Sequence, residues 1–159
     1  MAAQTPESIA RRLEKEGAKN LEFFESLSPA DWQKPLYSDG AQWTVHELFT
    51  HFVESESSIA KLISAIVGGA AGVGADFDID RWNASKVAEL KHMSREELLA
   101  DFKQLRAKNV EIVAGLVEGD LEKQGRHPFL GVTSIAEMLK LMYLHLQLHT
   151  RDVKRALGG

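Results

Sequence analysis

The chain has no cysteine. A disulfide framework and thiolate metal ligation are therefore excluded, and any thiol used in chemistry would have to come from a separate molecule. It also lacks a basic excess. Against 19 Lys and Arg stand 23 Asp and Glu, a formal charge of −4. Nothing resembles the dense Lys/Arg stripe of sequence-independent nucleic-acid binding, so nucleic acid is not expected as a partner. Long apolar runs are missing too: the longest uncharged stretch, Leu62 to Ala75, carries Gly68, Gly69, Gly72 and Gly74 and is too short to span a bilayer. The first residues place Arg11, Arg12 and Glu14 where a signal peptide needs an unbroken apolar stretch, so the expectation is a cytoplasmic protein with no membrane partner.

What remains is ordinary globular composition, 44% hydrophobic and 26% charged over 159 residues, enough for one core and one domain spanning residues 1–159. Apolar residues recur at spacings of three and four along almost the whole chain, and no sustained strand-like alternation is seen. The pattern predicts an all-α protein. Thr5-Pro6 opens a first helix carrying Ile9, Leu13, Leu21, Phe24 and Leu27 inward, and Ser28 to Trp32 starts a short helical turn. Three Ser/Thr-x-x-Glu capping boxes, Thr44 with Glu47, Ser94 with Glu97 and Ser134 with Glu137, open three more long helices. The second should stop at Gly68-Gly69, the third at Gly119, and the last should run towards Gly158. Arg81 to His92 reads as an extra short helix between the second and third long ones. Lys34 to Gly40 and Gly125 to Gly131 read as loops, and Gly68 to about Asp80 as a mobile connection or lid. No internal repeat is apparent at a fixed period. Four long helices with such connections predict a four-helix bundle.

His145 and His149 carry the chemistry. A spacing of four on a helix sets both imidazoles on one face, one turn apart, where two nitrogens can converge on a cation. That face also bears Ile135, Met138 and Met142, so the pair should point into the bundle. His51, three residues after Leu48, lies on the inner side of its own helix, and the three rings together make a candidate divalent-metal site. Zinc, nickel, iron and manganese all accept such nitrogens. Leu146, Gln147 and Leu148 stand between the paired histidines, so the general base of H-E-x-x-H peptidases is absent.

Three blocks, Trp43-Thr44-Val45-His46-Glu47-Leu48-Phe49-Thr50-His51-Phe52-Val53-Glu54, then His127-Pro128-Phe129-Leu130-Gly131 with Thr133 to Leu139, and His145-Leu146-Gln147-Leu148-His149, resemble the DinB-like superfamily of damage-inducible and thiol-dependent proteins. The resemblance implies a four-helix bundle, frequently a homodimer, with one divalent metal on three histidines that correspond to His51, His145 and His149. It also implies chemistry in which the metal activates a low-molecular-weight thiol such as bacillithiol, mycothiol or glutathione for transfer or isomerisation on a small electrophile.

Arg81, Arg126 and Lys123 are candidate anchors for the carboxylates of such a thiol, and His127, before Pro128, is a candidate substrate contact at the pocket mouth. Glu54 and Glu56 are read either as exposed helix residues or as acceptors for a ligand histidine's second N–H. His46 is read as a surface or capping residue, His92 as a helix C-terminal residue, and Trp43 and Trp82 as core or interface anchors. Two further readings stand beside the enzyme: a non-catalytic metal- or ligand-binding bundle, and an interaction protein whose histidines are core residues.

Overall fold

The computed structural model describes residues 4–38 and 41–158. Each helix begins where side-chain chemistry satisfies its free N–H groups. Helix α1 (Pro6–Glu25) starts at Thr5, whose hydroxyl accepts from Ser8 N, and short α2 (Pro29–Trp32) starts at Ser28 with Asp31 returning the bond. Strands β1 (Pro35–Ser38) and β2 (Ala41–Thr44) follow as an antiparallel pair. Thr44 ends β2 and caps α3 (Val45–Val67) in the box with Glu47. Helix α4 (Ile79–Glu89) is capped by Asp78, and α5 (Arg95–Ala114) by the Ser94–Glu97 box. Short α6 (Glu118–Leu121) leads to the antiparallel pair β3 (Gln124–His127) and β4 (Gly131–Ser134), and Ser134 caps α7 (Ile135–Ala156).

Helices α1, α3, α5 and α7 form the expected four-helix bundle, with α4 as the extra helix. Several local expectations are corrected. The two stretches read as loops contain β-hairpins, with Asp39 and Gly40 outside the described residues. The third long helix stops at Ala114 rather than Gly119, because Gly115 ends it and α6 restarts at Glu118. At α7 only half of the expected box forms, the bond from Glu137 N to Ser134 Oγ. The glycine-rich connection is tied down at Gly72. Arg126 N donates to Ala71 O at 2.8 Å and Val73 N donates to Arg126 O at 3.0 Å, attaching the segment to β3.

The order of elements repeats. A 20-residue helix, a four-residue helix, a hairpin and a helix of 22 or 23 residues occur twice, as α1-α2-β1-β2-α3 and α5-α6-β3-β4-α7. Both hairpins close the same way, with Val45 N donating to Lys34 O (3.0 Å) and Ile135 N to Lys123 O (2.9 Å). The expectation of no repeat is thus corrected at the level of structure. Helix α1 packs on α5 and α7, and so does α3, so the two long helices of each half lie across a diagonal of the bundle.

One apolar cluster joins Phe24 and Trp32 to Phe49, Phe52, Phe102 and Val153, and the other joins Ile9 and Leu13 to Ile66, Val113, Ile135 and Leu139. The aromatic rings meet edge-on or tilted at 4.9–5.9 Å, and burying each contributes about 1.5–3 kcal/mol. Between the clusters lies a buried polar group. Arg106 donates from Nε to Glu56 Oε2 at 2.9 Å, from Nη2 to Glu56 Oε1 at 2.5 Å and from Nη1 to Leu13 O at 2.8 Å, while Asn109 Nδ2 donates to Glu56 Oε2 at 2.9 Å. Among the described residues no helix is long and apolar enough to cross a membrane.

Candidate metal centre

Helix periodicity delivers the three histidines to one place. His51 stands in the second turn of α3 and His145 and His149 on facing α7, and one nitrogen from each lies within 4.8 Å of the others. The Nε2 atoms of His145 and His149 are 2.8 Å apart. His51 packs under Trp43, with ring centroids 5.2 Å apart, and at similar distance meets the His145 ring edge-on. It is buried, and among the described residues no hydrogen-bond partner reaches its Nδ1.

Burial, then the neighbouring His149, pushes His51 down to about 4. Burial, then His149, His51 and His127, pushes His145 down to about 3. Both rings are therefore neutral at pH 7, the state in which imidazole offers a lone pair to a metal. Converging imidazole nitrogens, with the buried Nδ1 of His51 unpartnered among the described residues, fit a divalent cation.

The histidines open onto a cavity of about 910 Å³ bounded by α3, α4, α7 and the tip of the second hairpin. Glu54 lines it. Expected either as an exposed glutamate or as a support for a ligand histidine, it is instead buried, and its Oε1 accepts from the Ser58 hydroxyl and, at 3.3 Å, from Trp82 Nε1. Glu56 is committed to Arg106 and Asn109. His127 also lines the cavity, and its Nδ1 accepts from Phe129 N and Leu130 N at 3.0 and 3.2 Å, while burial lowers its pKa. The neutral ring therefore carries its proton on Nε2.

The other candidate anchors lie elsewhere. Arg81 is exposed at the first turn of α4, Arg126 is held at the Gly72 bridge, and neither lines the cavity. Lys123 pairs with Asp120 at 2.9 Å and donates to Val67 O. His46 Nε2 lies 2.8 Å from Met93 O, and His92 Nδ1 lies 3.1 Å from Glu89 O at the end of α4. Trp82, read as a core or interface anchor, is 37% exposed and lines the cavity. Trp82 is a cavity residue that sequence reasoning did not place there, and Glu54 was read only as an exposed residue or a support for a ligand histidine. The helical offset of three between His51 and Glu54 was the available signal.

The sequence profile of the DinB superfamily matches residues 4–153. The chain belongs to the DinB superfamily. Solved structures with this DinB fold include YfiT from Bacillus subtilis, described as a probable metal-dependent hydrolase with an unusual four-helix bundle topology. YfiT has 18% identity and a TM-score of 0.78, with 99% of this chain and 90% of that chain covered. An uncharacterised protein from Escherichia coli UTI89 has 13% identity and a TM-score of 0.73, with 97% and 93% covered. The colibactin self-resistance protein ClbS, in complex with a dsDNA, also has 13% identity and a TM-score of 0.73, with 99% and 96% covered. No curated protein matches the sequence. At these identities the likeness establishes the DinB fold alone.

ClbS corrects one expectation. The acidic net charge was read as excluding nucleic acid, yet a protein of this fold is held in complex with dsDNA. Net charge sums the whole molecule, whereas a duplex meets one face of it. The exclusion is withdrawn.

Proposed function

We propose that this chain is a metal-dependent enzyme in which His51, His145 and His149 hold one divalent cation and a small electrophilic substrate enters the adjoining cavity for attack by water. The convergence of three nitrogens within 4.8 Å at a 910 Å³ cavity carries the reading. When bound, such a cation supplies Lewis acidity, acidifying a water or thiol and polarising a carbonyl. Glu54, held in place by Ser58 and Trp82, is the carboxylate that receives the nucleophile's proton. His127 Nε2–H, oriented by the two backbone donors on Nδ1, donates to the substrate's developing oxygen charge. Phe52, Met142 and Leu146 exclude water from the inner wall.

YfiT, described as a probable metal-dependent hydrolase, supports water as the nucleophile. So does the cavity charge. Glu54, Glu89, Asp101 and Asp152 face it with Lys61 and Lys86, while Arg81 and Arg126, the expected carboxylate anchors, stand outside. The thiol reading, transfer or isomerisation by a low-molecular-weight thiol, rests on the family's chemistry and is the competing outcome of the test.

Metal analysis of the purified chain should give one ion per chain, and His51→Ala, His145→Ala and His149→Ala should each abolish it. Wild-type stoichiometry in the triple variant would overturn the site. Hydrolysis of a chromogenic ester that is lost on chelation with the fold intact supports the proposed reaction, whereas turnover only with added thiol selects the thiol reading. A large fall in Tm on chelation without turnover of either kind selects a structural metal.

A further inference from the structure

The repeated halves differ at one buried position. Counting from the helix caps, Asn20 is fifteen residues after Thr5 and Asn109 fifteen after Ser94, so they are equivalents in α1 and α5. Asn109 commits its Nδ2 to Glu56, donating to the carboxylate and to Glu56 O, each at 2.9 Å. Glu56 stands twelve residues after Thr44, and the residue twelve after Ser134 is Leu146. Arg106, which neutralises that carboxylate, is matched in α1 by Gly17. Asn20 thus faces α7 without the carboxylate and the guanidinium that its twin has. Its Oδ1 accepts from the Thr150 hydroxyl at 2.8 Å, but Nδ2, buried in a residue 6% exposed, has no hydrogen-bond partner among the described residues.

Asn20 lines a second cavity, about 300 Å³, between α1 and α7 and separate from the metal centre. Lys19, Arg151 and Lys154 stand around it with Glu16. Arg151 and Lys154 form no ion pair among the described residues, and Lys19 is 3.9 Å from Glu16, whose other oxygen accepts from Gln147. The lining is net positive, with an unmet donor at its floor.

We propose that this cavity binds the carboxylate of a small organic acid: Asn20 Nδ2 donates to one carboxylate oxygen, and Lys19, Arg151 and Lys154 supply the charge that Arg106 supplies in the other half. The molecule itself shows what this asparagine takes in this fold. The cavity size limits the ligand to a compact acid.

The test uses the full ¹⁵N-labelled chain titrated with sodium acetate and, at matched ionic strength, with sodium chloride. The Asn20 side-chain amide and the Thr150 backbone amide should shift saturably with acetate and not with chloride. Asn20→Asp, which replaces the donating Nδ2 by an acceptor oxygen that repels a carboxylate, should remove the Thr150 response. The surface pair Arg151→Gln with Lys154→Gln, which leaves the buried floor intact, should weaken acetate binding about tenfold, equivalent to about 1.4 kcal/mol. Equal responses to both salts, shifts confined to the rings of His51, His145 and His149, or an unchanged affinity in the double variant would overturn the proposal.

Discussion

Acidification of the metal-free chain should unfold it from the metal centre outward. His51 and His145 titrate near 6.5 when unfolded but are held down to about 4 and about 3 by burial and by their neighbouring rings. Between these limits the unfolded chain binds more protons than the folded one, so stability is present in full above about pH 6.5 and falls as pH drops towards the folded values. At pH 5 the unfolded rings are almost fully charged and the folded ones almost fully neutral, a loss of about 2 kcal/mol from each histidine relative to pH 7.5. Together that is a large part of a typical net stability of about 5–15 kcal/mol. Most carboxylates remain ionised at pH 5, which isolates the histidines. Urea unfolding of the metal-free protein at pH 7.5, 6 and 5 measures the loss, and His51→Gln should remove about half of it. Equal midpoints at pH 7.5 and 5, or the same loss in the variant, would refute a centre built from neutral buried rings.

Removing one member of the buried pair should be severe: Arg106→Met strands the Glu56 carboxylate and should cost about 3–5 kcal/mol in urea unfolding, whereas replacing Glu56 by Leu in that background should recover much of it. A Cβ at Gly17 would stand 2.8 Å from Arg106 Cγ, so Gly17→Ala should cost about 1–3 kcal/mol, and less in Arg106→Met, the coupling being read from a double-mutant cycle. At Gly72, φ is +96° and a Cβ would enter the Arg126 backbone, so Gly72→Ala should strip the Arg126 amide of its hydrogen-exchange protection while α7 keeps its own.

The helices and the histidine cluster were legible because both rest on local rules. Thr44, Ser94 and Ser134 announce helix starts through residues three positions on, and the spacing of His145 and His149 fixes their common face. The hairpins were not legible. Gln124 to His127 and Gly131 to Ser134 have no alternating pattern, and their pairing depends on backbone bonds and on Lys123 O meeting Ile135 N beyond the strands. The repeat was hidden because its halves share roles rather than identities: Thr5 and Ser94 cap, and Asp31 and Asp120 each return a bond to the backbone at the head of a short helix. The sequence left Glu54 and Glu56 open between exposed residues and supports for a ligand histidine, because their burial depends on partners far along the chain, Trp82 for one and Arg106 for the other. Arg126, read as an anchor for the carboxylates of a thiol, does not line the cavity as His127 does, because adjacent residues of a strand face opposite ways.

The diagonal placement of each half's long helices governs when the molecule can close. Neither α1 with α3 nor α5 with α7 makes a flat helical hairpin, so a nascent chain that has emerged only as far as residue 75 cannot shield the flanks of its own helices. Beyond the ring contacts of Phe24 with Phe49 and Phe52, the cover for α1 comes from α5 and from α7, which ends at Ala156. Burial of the first apolar stripe to be synthesised must therefore wait for the last helix, and the slow, long-range step of folding is the interleaving of two pieces neither of which is complete alone.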